Sequence, residues 1–281
     1  MSRRVGIYNL VWSGTNAITF AVSGSIIAHW RIGVFLIPAM AHLICALLMW
    51  RSPAVEPVTG DAADPAHAEP EPELLARRTL AMWLARISLP ATYVVVFSLA
   101  AMMPLLPVMQ PLDTAQRTLV GSVWMIARFL AFLYLGATAW WHTRPRVLLG
   151  AAAMMLVAFI GVTLRPSEVF GAEGMPYAVD LASMISWQLA LGAMMGMIYS
   201  ASLYFGMVLS DGSTEHGGYH EALIGLGSIL GPGTAALTQL VWRGDIRAGI
   251  AAVCCVIGLS VVAATAATIK ATPRGRGFPT S

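Results

Sequence analysis

The sequence predicts an all-α fold, a polytopic membrane helix bundle of about eight transmembrane helices. Three observations predict it. Only 11% of the 281 residues are charged, while 57% are apolar or aromatic and the mean hydropathy is +0.71. A soluble domain keeps about 25% of its residues charged to stay dispersed, so an ordinary soluble enzyme is excluded. Apolar runs of bilayer-spanning length recur along the chain. Finally, the net charge of +3 is small and scattered, which gives no reason to expect a nucleic-acid partner. The three cysteines, Cys45, Cys254 and Cys255, lie inside apolar runs and read as small buried packing residues.

The elements fall at 5–29, 32–50, 80–109, 115–141, 147–164, 178–209, 217–242 and 248–269. The first run follows Arg3 and Arg4 and continues without a small-residue cleavage site, so it reads as a retained span and not a signal peptide. With the second run it forms a two-helix unit, residues 1–50. Residues 51–79 are an acidic, Pro-rich linker. Five prolines and six acids fall within 51–75, too polar to offset the entropy of ordering, so that stretch is expected to be disordered. A six-helix bundle over 80–270 and a tail over 271–281 complete the chain. The third run carries Pro90, Pro104, Pro107 and Pro111 and is expected to bend and end raggedly. Residues 165–177, with Pro166, Gly171, Gly174 and Pro176, read as a loop.

Lys and Arg near the span ends set the orientation. With the N-terminus in the cytoplasm, eleven basic residues fall inside, five outside, and Arg128 lies within a span. Both termini and the acidic linker are therefore expected on the cytoplasmic side of a cell or inner membrane.

The first and seventh runs align at an offset of 211 residues. Gly6, Tyr8, Asn9 and Gly14 face Gly217, Tyr219, His220 and Gly225, and Asn16 faces Gly227. Such internal symmetry is a mark of transporters. The best-marked segment is 217–233, rich in glycine and kinked by Pro232. Gly225, Gly227 and Gly231 are expected to face a neighbouring helix, and Gly192 and Gly196 form a further pair at the four-residue spacing of close helix packing.

This segment resembles the glycine-rich, proline-kinked fifth and eleventh helices of the major facilitator superfamily of twelve-helix secondary transporters. The layout of the chain is similar to that family's helices five and six, central cytoplasmic linker and helices seven to twelve. Gly136, Arg144 and Arg146 resemble part of its signature between helices eight and nine, without the acidic residue of that signature. The resemblance implies alternating access between two half-bundles, with the solute held between them. It also implies that the first four helices are missing. A truncated product, a wrongly placed start and half of a split transporter all remain open. A second copy or a separate N-terminal helix piece is the partner that this implies, beside membrane lipid.

Arg128 is the sharpest site candidate, because a charge at mid-membrane must face protein or water. It reads either as a solute or coupling contact or as a packing group. Asp180, Ser183 and Trp187 share a helix face, with Gln188 beside them at the expected depth of Arg128. Tyr93 on the third run is a further candidate for the cavity wall, and Arg128 and Gln188 are expected to border the cavity together. Glu221, His220 and Asp180 are candidates for coupling a proton or ion, or for gating. His216 and His220 have the spacing of a metal pair but lack a third ligand, so no metal and no cofactor are expected. No phosphate-binding loop, zinc-protease motif or nucleophile elbow occurs. The sequence therefore reads as a non-enzymatic secondary transporter of a small solute, or part of one. The rival reading is a non-transporting relative that binds a partner or guides assembly.

Overall fold

The computed structural model describes residues 2–51, 71–171, 174–210 and 214–271, so most of the acidic linker and the tail lie outside the described residues. Among these, all regular structure is helical. The chain runs through α1 (Ser2–His29), α2 (Gly33–Trp50) and α3 (Pro72–Met102), then two 3-10 turns. It continues through α4 (Thr114–Gly121), α5 (Val123–Ala137), α6 (Arg146–Thr163), the short α7 (Pro166–Val169), α8 (Tyr177–Leu209), α9 (Thr214–Val241) and α10 (Ile246–Ala271). Among the described residues, eight helical segments are long and apolar enough to cross a membrane, with α4 and α5 forming one such segment.

Two boundaries differ from the sequence expectation. α3 begins at Pro72, inside the stretch expected to be disordered. Proline suits the first helical position, where its missing N–H has no partner to lose, and Glu73 in the first turn complements the helix dipole. α3 also ends earlier than expected, at Met102, and the prolines beyond it shape 3-10 turns at Met103–Leu105 and Pro107–Met109. The fourth span opens on a capping box, in which Gln116 N donates to Asp113 Oδ1 at 2.8 Å and Asp113 N to Gln116 Oε1 at 3.0 Å. It breaks at Ser122, whose hydroxyl donates to the Leu119 carbonyl at 2.7 Å. Within the expected loop at 165–177, Pro166 starts the single turn of α7.

The core centres on α3 and α8. The most apolar window of α3 is 61% buried, against 6% for α2, whose only buried residue is Gly33. α8 packs along α5, α6 and α3, while α9 and α10 close the other side of α3. α1 lies against α4 and α5. The glycine pairs set the close approaches. A Cβ on Gly192 would strike the Trp124 carbonyl, and one on Gly196 would meet the Ala131 side chain, so both draw α8 onto α5. Gly227 and Gly231 do the same for α9 against Pro90, Tyr93 and Val94 of α3. Pro232, beside them, lies inside α9 and is exposed.

Gly225 corrects the packing expectation, because nothing lies within 4 Å of a Cβ built there. It sits two residues from Gly227 and so points to the opposite side of the helix. The cysteines are corrected too. Cys45 and Cys255 are exposed on the apolar outer surface, and Cys254 is half-buried.

The repeat is visible at its start only. α1 and α9 are both 28 residues long. Tyr8 and Tyr219 both point outward, and Asn9 and His220 are both buried. Further along the match lapses: Gly14 rests on the Phe129 ring and Gly225 on nothing.

Candidate functional site: a caged arginine between two cavities

Trp124, Arg128 and Phe132 stand at i, i+4 and i+8 on α5, so they form one row facing the bundle. The close approach at Gly192 and Gly196 brings α8 to this row, and Tyr199 follows one turn later. α3 adds Tyr93, held where Gly227 touches it. α1 adds Trp12, and α9 adds His220.

These side chains enclose the Arg128 guanidinium, and Arg128 is only 5% exposed. Its Cζ lies 4.7 Å from the Trp12 ring centroid, 5.2 Å from Tyr199, 5.4 Å from Phe132 and 5.5 Å from Tyr93. Nη2 donates to Tyr93 Oη at 3.0 Å. Among the described residues no carboxylate pairs with it, and its Nε has no partner. Glu221, one residue from His220, is exposed. A charge at mid-membrane costs at least about 2.5 kcal/mol. A desolvated cation–π contact returns about 2 kcal/mol. Four rings can therefore hold the cation without an acid, yet they leave most of its five N–H donors unused.

Tyr199 is the hub of the layer. It stacks on Trp12 with centroids 5.6 Å apart and planes 14° from parallel. It meets Phe132 at 5.2 Å and the His220 ring edge-on at 4.7 Å. His220 Nδ1 lies 3.0 Å from Ser202 Oγ, and its Nε2 is buried without a partner.

Two cavities lie at successive levels along α1 and α5. The larger, 510 Å³, is lined by Gly6 and Asn9 of α1, by Phe132 and the stretch Leu135 to Ala139, and by the end of α8. His142 also lines it and stacks on Tyr204 with ring centroids 4.0 Å apart. Burial, and then the positive charge of Arg78, hold the His142 imidazole below its ordinary pKa. The smaller cavity, 270 Å³, is lined by Trp12, Asn16, Tyr93, Phe97, Trp124 and Arg128 among others. Since α1 runs from the first cavity into the second and α5 runs back, the rings of Trp12, Tyr199 and Phe132 lie between the two.

Arg128, Tyr93 and His220 thus come together. Gln188 does not join them. It is fully buried, both its amide atoms lack partners, and it does not line the cavity. Gly196, eight residues further along α8, packs on the Arg128 backbone, and Tyr199 beyond it meets the guanidinium, which puts Gln188 at least roughly 12 Å away along the helix. The 33-residue α8 is longer than a bilayer needs, so counting from its ends misjudges depth. The face carrying Asp180, Ser183 and Trp187 is also corrected. Asp180 accepts hydrogen bonds from Ser167 N at 3.1 Å and Ser167 Oγ at 2.7 Å, which ties α8 to α7. Trp187 covers Gly161 of α6, and Ser183 is half-buried on the same row. Among the described residues no three His, Cys, Asp or Glu side chains gather as a metal site.

Trp12, Phe132 and Tyr199 were not singled out by the sequence. The available signal was depth. Trp12 stands ten residues into α1, roughly 15 Å from its start, too deep for an interfacial anchor.

Fold and site together define a polytopic helical bundle of the integral membrane class, with a buried cation at its centre. No family model, curated protein or solved structure matches the chain.

Proposed function

We propose that the protein is a secondary transporter, or part of one, that moves a small solute across the membrane by alternating access around Arg128. The observation that carries this reading is the pair of cavities separated by one layer of rings and a cation. A static pore needs no such barrier, and a packing-only arginine needs no cavity beside it. Exchange between the two cavities requires only that Trp12 and Tyr199 part, which rocking of α1 against α8 achieves.

The resemblance to the major facilitator superfamily supports the same mechanism, with α1 and α2 as the counterparts of helices five and six. Both termini and the linker then face the cytoplasm, and Asn9 and His142 line the cytoplasmic cavity. His220, against Tyr199 and with a buried unpartnered nitrogen, is the coupling or gating group beside the site. A second copy or a further helical piece covers the α1–α2 side. The rival, a partner-binding relative without transport, draws on the 6% burial of α2, which leaves that helix almost free of the bundle.

Uptake of a panel of labelled small organic solutes into proteoliposomes separates the two. Saturable uptake above that of empty liposomes is expected. Uptake equal to that of empty liposomes for every solute, from protein that is folded and correctly inserted, contradicts transport and favours the rival.

A further inference from the structure

We infer that the 270 Å³ cavity at Arg128 binds a monocarboxylate with a flat, apolar, single-ring body. This rests on the reading of Arg128 as the solute site and adds the chemical class of the solute.

Charge balance comes first. Arginine brings a full positive charge to the site. It is 5% exposed, unpaired with any described carboxylate, and makes one hydrogen bond, to a neutral phenol. Aromatic rings hold a cation but accept no directed hydrogen bond from its remaining donors. One carboxylate supplies acceptors in the forked geometry that guanidinium matches, and balances the charge of Arg128 itself. A dianion leaves an uncompensated negative charge in an apolar enclosure, and a cation adds to the positive one. Both are disfavoured by desolvation.

The walls define the body of the ligand. Trp12, Phe20, Tyr93, Phe97 and Trp124 present five aromatic side chains to the cavity. Of the polar groups, the Ser13 hydroxyl already donates to the Asn9 carbonyl at 2.5 Å, which leaves the Asn16 amide, the Tyr93 O–H and the indole N–H groups as a few uncharged polar points on mainly apolar walls. A sugar or a zwitterionic amino acid has hydroxyl or ammonium groups that these walls do not satisfy, and burying those groups unpaired is costly. The cavity lies just below the range of about 300–1,000 Å³ usual for small-molecule sites, so one ring with a short acidic arm fits better than a larger scaffold.

The test is equilibrium binding of labelled benzoate to the purified full chain in nanodiscs. Saturable binding is expected. Benzamide, which keeps the shape without the charge, should compete at least about tenfold more weakly, as should phthalate and benzylamine, given the weight of a charge-assisted fork. Arg128→Gln should abolish binding, Arg128→Lys should retain a weakened share, and Leu133→Ala on the exposed face of α5 should leave it unchanged. The competition series uses wild-type protein and so does not depend on any variant folding. Absence of saturable benzoate binding, benzamide competing equally with benzoate, or full binding by folded Arg128→Gln each overturns the inference. Benzoate binding without flux of any solute leaves it standing and overturns transport. Flux of another solute without benzoate binding overturns this inference alone.

Discussion

α1 and α9 begin alike and end in different roles. Both are 28-residue helices that turn a tyrosine outward and the next residue inward, Asn9 to the larger cavity and His220 to the Tyr199 ring. α9 is bound to α3 through Gly227 and Gly231, with Ser98 Oγ donating to the Gly231 carbonyl at 3.2 Å. α1 is bound further from the site, where Gly24 meets α4 and its N–H donates to Thr118 Oγ1 at 3.1 Å. At the level of the site α1 offers side chains and one glycine, Gly14, which meets only the Phe129 ring and no backbone. The difference teaches that α9 is part of the frame that positions Tyr93 and His220, while α1 is a wall hinged at one end, able to move Trp12 relative to Tyr199.

Substitutions of three kinds, at the arginine, at glycines and at a histidine, probe that division in falling order of effect. Arg128→Ala removes the cation that α1 and the bundle share, and transport should be lost altogether. Arg128→Lys keeps the charge without the forked donors and should retain part of the flux. Equal flux from folded Arg128→Ala and wild type would remove Arg128 from the solute path.

Glycine substitution separates frame from wall. Gly227→Leu forces a side chain onto the Pro90 carbonyl and Tyr93, and should destabilise the bundle by the roughly 1–3 kcal/mol of overpacking, or more where backbone is struck. Gly24→Leu strikes α4 just as directly, but should leave the α3–α9 contact intact and mainly impair transport. Gly225→Leu, into open space, should change neither. Thermal unfolding in detergent, paired with uptake, checks all three. Similar stability losses for Gly24→Leu and Gly227→Leu would make α1 part of the frame.

The smallest effect concerns the cavity that Asn9 shares with His142. Burial and Arg78 lower the His142 pKa in the folded state, so the unfolded chain binds the extra proton first. Stability is full above the ordinary histidine value of about 6.5 and declines as pH falls through it. His142→Phe keeps a ring against Tyr204 and should flatten that slope between about pH 7 and 5. An unchanged slope would mean that another group governs it.

Much of this was legible in the sequence, for physical reasons. Long apolar runs announce spans because a bilayer admits little else. Arg128 stood out because a charge in such a run must have a purpose, and Gly227, Gly231, Gly192 and Gly196 because helices approach closely only over small residues. The cage was not legible. A ring at Trp12, Phe132 or Tyr199 looks like core filler until the helix face is known. Gln188 was misjudged because an overlong helix hides its register. The first turns of α3 were masked by a proline- and acid-rich composition that suits a helix start as well as a linker.

The central claim is that the layer of Trp12, Tyr199 and Arg128 divides a path across the membrane. Single cysteines at Asn9 and Asn16, in a chain with Cys45, Cys254 and Cys255 replaced by alanine, test it most directly. They line the larger and the smaller cavity respectively. A membrane-impermeant thiol reagent should react with Asn9→Cys faster in inside-out vesicles than in intact cells, and with Asn16→Cys faster in intact cells than in inside-out vesicles. The same preferred face for both cysteines would contradict the account.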